Sequence, residues 1–229
     1  MKTISFAILL SFLLEIIIFI GCGKKPEIER SSKTIVFFGD SVTYGYGIDT
    51  ETESFFARID KIMKSGIYGN VKAINAGING DDTNEALQRL STDVLVHKPD
   101  IVVIAFGLND CQNKSMTTEK FSNNINLMLD VIPKNTEVIL ATSNTFMETG
   151  QSLWRNLNST FSPYMKEIMK IASERRLSLI DVNAAWQNHL QMNPRTIESM
   201  YIDSTHPSAK GHRLIYKTYM DVLRKKLMK

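Results

Sequence analysis

Three residue types that together activate a hydroxyl stand far apart in this chain. Ser41 ends an apolar run, Ile35-Val36-Phe37-Phe38-Gly39-Asp40-Ser41, and Asp203-Ser204-Thr205-His206 lies close to the C-terminus. A serine hydroxyl is a poor nucleophile at its own pKa. It needs an imidazole to take its proton and a carboxylate to fix the tautomer of that imidazole. The sequence therefore offers Ser41 as nucleophile, His206 as general base and then general acid, and Asp203 as the group that orients it. The gap of three lets Asp203 and His206 project from one loop or turn. Taken singly, each has a plainer explanation: a serine after Gly-Asp is a turn or helix-cap residue, and an Asp-x-x-His pair is an ordinary loop hydrogen bond. Cys111 also invites attention as a thiol nucleophile, but reads better as a small buried side chain. His97, His189 and His212 read as structural. Asp203, His206 and His212 match no zinc spacing, so no metal is expected.

The elements that would position these groups follow from hydrophobic patterning. Short apolar runs rich in β-branched residues recur at 34–38, 71–75, 101–106, 137–142 and 177–182, each bounded by turn or polar residues; they read as buried strands. Between them lie helical spacings: Phe55, Phe56, Ile59 and Met63; Leu87, Leu90, Val94 and Leu95; Phe121, Ile125, Leu129 and Ile132; Tyr164, Ile168 and Ile171. A last helix is expected over 211–227, with Pro207 near its start. Regular alternation requires crossover connections, hence a mainly parallel sheet with helices on both faces. The expected fold is α/β, a three-layer α/β/α sandwich around a five-stranded, flavodoxin-like sheet. Ligands of such sheets bind beyond the carboxyl ends of the strands. Ser41, the turn from Gly77 to Gly80, and Asn109 each follow one of the first three strands, so they share that rim.

Four blocks in order then resemble the SGNH (GDSL) hydrolase family: Gly39-Asp40-Ser41-Val42-Thr43, Asn75-Ala76-Gly77-Ile78-Asn79-Gly80-Asp81, Gly107-Leu108-Asn109-Asp110, and Asp203-x-x-His206. The likeness runs from about Lys33 to the C-terminus and is nearest to the secreted thioesterase/lysophospholipase-like esterase and arylesterase branch, whose texture Leu87-x-Arg89-Leu90 and His97-Lys98-Pro99-Asp100 share. Residue by residue, the resemblance implies an oxyanion hole made of the Ser41 N–H, the Gly80 N–H with Gly77 as fallback, and the Asn109 side-chain amide. It implies a serine esterase cleaving carboxylic esters or thioesters of short-acyl, lysophospholipid or acyl-thioester type through an acyl-serine. A carbohydrate O-deacetylase is the alternative within the family, and a non-catalytic surface-binding lipoprotein the alternative outside enzymes. Leu108 stands where the branch has a second glycine, which predicts a bulkier floor beside Asn109. The segment 143–154, with Phe146, Met147, Leu153 and Trp154, is expected either to line an apolar acyl or alcohol pocket or to pack at a helix start.

The strained Gly-x-Ser-x-Gly elbow of another hydrolase class is absent, and so is a Gly-Lys-Ser/Thr phosphate loop; no nucleotide or other cofactor is expected. A formal charge of +3 is too slight to argue for nucleic acid. With 229 residues and 43% hydrophobic content, the chain suits one domain with a sizeable core after its N-terminus is set aside. Residues 3–21 run apolar after Lys2 and end at Phe19-Ile20-Gly21-Cys22. This is read as an export signal over 1–21, closing on a sequence similar to a bacterial lipobox with Cys22 as the lipidated residue. Phe19, Ile20 and the embedded Glu15 depart from that pattern; an uncleaved anchor helix and plain secretion are the alternatives. Residues 22–32 would be a tether and 33–229 the hydrolase domain. All three routes put the domain outside the cytoplasm, with the membrane as partner through an N-terminal lipid and an ester as substrate.

Overall fold

The computed structural model describes residues 32–147 and 157–228. The export segment and Cys22 lie outside them, as do Leu153 and Trp154. Five strands form one sheet: β1 (Lys33–Gly39), β2 (Val71–Gly77), β3 (Ile101–Ala105), β4 (Glu137–Ala141) and β5 (Ser178–Ile180), every pairing parallel, in the order β2-β1-β3-β4-β5. The helices are α1 (Ser41–Tyr44), α2 (Phe55–Lys64), α3 (Thr83–Asp93), α4 (Thr118–Val131), α5 (Leu157–Glu174), α6 (Val182–Met192), α7 (Ile197–Met200) and α8 (Ala209–Leu227). No helix among the described residues is long and apolar enough to cross a membrane.

The central strand shows why the sheet is covered on both faces. Successive side chains of a strand point to opposite sides, and in β1 the neighbours Phe37 and Phe38 are both large and enclosed. Phe37 packs on Phe55 and Phe56 of α2 and on Tyr219 of α8. Phe38 packs on Phe106 and lies under the Arg89 guanidinium of α3. Each fully buried aromatic of this size contributes on the order of 2–3 kcal/mol of hydrophobic stabilisation.

Strand and helix ends differ from the patterning by one or two residues, and two of these differences have a clear local cause. The fifth strand stops at Ile180 because Asp181 caps α6: it accepts from the Ala184 N–H at 3.0 Å and the Thr142 hydroxyl at 2.8 Å. The last helix begins at Ala209, capped by Ser208, which leaves Pro207 outside it in an isolated antiparallel bridge with Tyr201.

Register places the carboxyl ends level, with Gly39 opposite both Gly77 and Ala105. The chain leaves β1 toward β2 on one side and returns to β3 on the other. The sheet's switch point therefore lies between β1 and β3, where crevices open in doubly wound folds. Ser41 follows the first of these strands and Asn109 the second.

Candidate active site

Asp40 turns the chain from strand to helix. Its backbone is extended and its carboxylate accepts from the Val42 N–H at 2.9 Å, capping α1. Burial pushes this carboxyl up to about 7; the Val42 N–H opposes the rise, and the charges of Asp110 and Asp81 add to it. Ser41 is thereby the first helical residue, and its N–H meets no acceptor among the described residues.

Asp203 and His206 sit in a loop closed at its neck. The Ile202 N–H donates to the His206 carbonyl at 3.0 Å and the Ser208 N–H to the Met200 carbonyl at 2.9 Å. Inside the loop, Asp203 Oδ1 accepts from the N–H groups of Thr205 and His206, each at 2.7 Å, and Oδ2 lies 2.7 Å from His206 Nδ1. Partial burial pushes the Asp203 carboxyl up, but the His206 N–H, the imidazole and the Thr205 N–H outweigh it and hold the group below its ordinary value. An ionised carboxylate at Nδ1 keeps a proton there and leaves the Nε2 lone pair free. Nε2 lies 3.0 Å from Ser41 Oγ. Two bonds brace the loop from outside: the Met147 N–H to the Ser204 carbonyl at 2.8 Å and Asn144 Nδ2 to the Thr205 carbonyl at 2.9 Å.

The two glycines offered as donors are sorted by their surroundings. At Gly77 an added Cβ would lie 2.3 Å from the Tyr44 nitrogen, and the Gly77 N–H already donates to Asn75 Oδ1 at 2.9 Å. This glycine lets β2 approach α1 and has no donor to spare. Gly80 has open space around it and φ +84°, a conformation that favours glycine, and its N–H meets no acceptor among the described residues. Asn109 donates one Nδ2 hydrogen to the Asp81 carbonyl at 2.8 Å, which aims the amide and leaves the second hydrogen available. The structure thus gathers Ser41, Asp203 and His206 into one hydrogen-bonded series, with Gly80 and Asn109 joined to each other through Asp81.

Further contacts stitch this rim. Asp110 is enclosed and its Oδ1 accepts from the Thr83 N–H at 3.0 Å and hydroxyl at 2.6 Å, while Asn113 donates to Asp82 at 2.7 Å. Burial pushes the Asp110 carboxyl up to about 6, against the Thr83 hydroxyl and N–H. Arg89 pairs with Asp81 and donates to the carbonyls of Ala76 and Gly39 at 2.8 and 2.9 Å, tying the ends of β2 and β1.

The structure also places the other residues that the sequence singled out. Leu108 is enclosed in the core, so it does not pave the site, and Phe146 packs edge-on against Phe161. Apolar side chains beside a rim serve the core as readily as a pocket. Cys111 donates to the Leu108 carbonyl at 3.2 Å, and burial together with the Asp110 charge pushes its thiol up to about 12, far from a reactive thiolate. One neighbour of the site escaped sequence reasoning altogether. Tyr46, half open to solvent, lays its ring 4.5 Å from the His206 imidazole, and next to it Gly47 is pressed against Ile202. The only signal was a tyrosine between two glycines shortly after Ser41.

At its switch point the parallel sheet carries a hydroxyl, an imidazole and a carboxylate bonded in series, an arrangement able to serve hydrolysis at the carboxyl edge of the strands. The model of the GDSL-like lipase/acylhydrolase family matches residues 37–214, and the chain belongs to that family. An acetylxylan esterase of Geobacillus stearothermophilus is 24% identical over 210 residues, covering 83% of this chain and 93% of its own length. The "Uncharacterized lipoprotein YqeF" of Bacillus subtilis is 40% identical over 81 residues, 35% of this chain and 33% of that protein. Among solved structures, a lipase/acylhydrolase from Enterococcus faecalis superposes with a TM-score of 0.71 at 27% identity, covering 85% of this chain and 96% of the other. Family and relatives together make the chain an ester-hydrolysing enzyme.

Proposed function

We propose that the chain is a serine esterase acting on carboxylic esters or thioesters, of short-acyl, lysophospholipid or acyl-thioester type, with Ser41, His206 and Asp203 as its triad and the Ser41 N–H, Gly80 N–H and Asn109 amide as oxyanion donors. The observation that carries this reading is the series itself, 3.0 Å from Ser41 Oγ to Nε2 and 2.7 Å from Nδ1 to Asp203. Ser41 Oγ attacks the ester carbonyl carbon while its proton passes to His206 Nε2. The carbonyl oxygen takes up the charge among the three donors, each worth roughly 3–4 kcal/mol in a dry site. The C–O bond to the alcohol breaks as Nε2 returns the proton to the leaving oxygen. A water then repeats the sequence on the acyl-Ser41 ester, and the acid leaves. A fluorophosphonate probe tests the reading, since covalent labelling requires an activated hydroxyl. Wild type should label and Ser41→Ala should not; a folded wild type that fails to label would instead favour a binding lipoprotein.

A second reading is O-deacetylation of carbohydrate. It is supported by the breadth of the acetylxylan esterase match, 93% of that protein, against 50% for an arylesterase of Vibrio mimicus and 40% for the esterase TesA of Pseudomonas aeruginosa. Turnover of acetylated xylo-oligosaccharide more than tenfold above that of butyryl esters, lysophospholipid and acyl thioester would select it.

For the N-terminus we propose an export signal over 1–21, lipid on Cys22 and a tether over 22–32 ahead of the hydrolase domain, supported by the lipobox-like sequence and the lipoprotein relative. Radiolabelled palmitate should enter the wild type and not Cys22→Ser; equal labelling of both would reject it.

A further inference from the structure

A groove of about 300 Å³ runs between α6, α7 and α8, lined by His189, Met200, Lys210, Arg213, Leu214 and Lys217. Buried Met200 and half-buried Leu214 supply apolar wall, and the rest of the lining is cationic or imidazole, with no carboxylate. Glu198 and Asp221, on the same two helices, are not part of it.

Elsewhere the protein often pairs cations on or beside its helices: Lys64 with Asp60, Lys170 with Glu167, Arg175 with Asp130, and Lys226 with Glu137. Lys210, Arg213 and Lys217 have no ion-pair partner among the described residues, and Lys210 spends one donor on the Ser199 hydroxyl at 3.0 Å. Spacings of three and four put them on one face of α8 as like-charged neighbours, an unfavourable arrangement; Asp221, four residues past Lys217, is the one carboxylate of that helix near this face and is not within ion-pair distance of it. Their place on the helix compounds this. Lys210 stands in the first turn, which has no acidic residue, where the helix dipole favours negative charge. The groove therefore concentrates positive potential that an anion would relieve.

Spacing also selects the kind of anion. At 1.5 Å rise per residue, Lys210, Arg213 and Lys217 are spread over about 10 Å of helix axis, a length along which successive charges of one chain can each meet a cation. We propose that this groove binds a linear polyanion, a polymer bearing successive phosphate or carboxylate groups, through Lys210, Arg213 and Lys217. Its walls adjoin the neck of the loop that carries Asp203 and His206, because Met200 accepts from the Ser208 N–H there. The site is thus placed to hold the backbone of an acylated polymer. Only that last step rests on the esterase reading; binding itself needs no turnover.

The test uses the full chain in neutral detergent with Ser41→Ala to remove hydrolysis, titrated calorimetrically with inorganic tripolyphosphate, monophosphate and a galacturonate oligomer. Tripolyphosphate or the oligomer should bind at least tenfold more tightly than monophosphate, with a log–log salt slope of about −2 for three contacts. Arg213→Gln and Lys217→Gln should each weaken binding about fivefold or more, with circular dichroism and, in the Ser41 parent, p-nitrophenyl acetate turnover unchanged. Equal affinity for mono- and tripolyphosphate, or equal weakening by a control Lys98→Gln, would overturn the site. Vesicles of phosphatidylcholine and phosphatidylglycerol that bind through the same residues while both soluble polyanions do not would overturn the polymer assignment in favour of a lipid surface.

Discussion

His206 and His212 stand six residues apart on the chain and live in opposite environments. His206 is partly open to solvent, both ring nitrogens engaged, one by Asp203 and one by Ser41. His212 is wholly enclosed on α8: its ring stacks on Phe55, Nδ1 accepts from the Phe55 N–H at 3.2 Å, and Nε2 has no partner among the described residues. Burial, followed by the nearby charges of Arg58 and His206, pushes its pKa down to about 3. The loop histidine bridges a carboxylate and a hydroxyl at the strand ends, whereas the helix histidine is held neutral and serves as a fixed acceptor at the start of α2. Residue type offers the chemistry; the number and kind of partners decide whether it is used.

The sharpest way to break this contrast is to remove the groups around His206. Ser41→Ala and His206→Ala should each lower p-nitrophenyl acetate turnover by roughly 10⁴-fold or more, and the double variant should be no worse, because the groups act as a unit. Additive losses would separate them. Asn109→Ala should cost about 100- to 1,000-fold in kcat; a loss under threefold would deny it a place in the oxyanion hole.

On the other side of the comparison, His212→Ala should destabilise the fold by about 2–4 kcal/mol through a cavity and an unpaired Phe55 N–H. Turnover of the folded fraction should stay within about threefold of wild type. Between about pH 3 and 6.5 the unfolded imidazole takes up a proton that native His212 refuses, so this residue lowers stability as pH falls through that window. Asp40 and Asp110 act with the other sign. Their carboxyls, at about 7 and about 6 against 3.8, retain protons that the unfolded chain releases, so stability falls as pH rises from 3.8 through those values. Urea unfolding at pH 4, 5 and 6 should therefore show a slope more negative in His212→Ala than in wild type, by up to ~1.4 kcal/mol per pH unit; identical slopes would mean that His212 titrates normally. The smallest effect is expected from Tyr46→Ala. Loss of the ring beside the imidazolium should reduce kcat about threefold with KM little changed, and Tyr46→Phe should restore it. A change confined to KM would make Tyr46 a binding surface.

The architecture was legible because β-branched runs and helical spacings alternate, and because parallel strands deliver their following loops to one rim. Ser41, Gly80 and Asn109 could be placed on that rim from strand ends alone. What could not be read were directions and distant partners. Nothing local decides between the two places open to Phe146, or tells that Leu108 turns inward and Tyr46 toward a histidine from the other end of the chain. The Asp110 to Thr83 bond spans 27 residues, and no pattern in either segment announces it. The end of β5 was misjudged for a local reason: Leu177 to Val182 is apolar enough for a strand, but Asp181 inside it is a better helix cap than strand residue.

The loop that holds Asp203 and His206 is closed over a few residues, yet its contact with Ser41 bridges 165 positions. Contacts of such separation carry a large loop-closure cost and are not made by short local segments. Until α8 and the segment before it dock, Ser41 is an ordinary alcohol at the end of a strand and His206 an ordinary imidazole in a turn. With Ser41 and His206 as the proposed catalytic pair, ester hydrolysis becomes an assay of completed folding: an emerging, threaded or truncated chain should stay chemically silent, and the return of turnover after dilution from denaturant should time the arrival of the last helix.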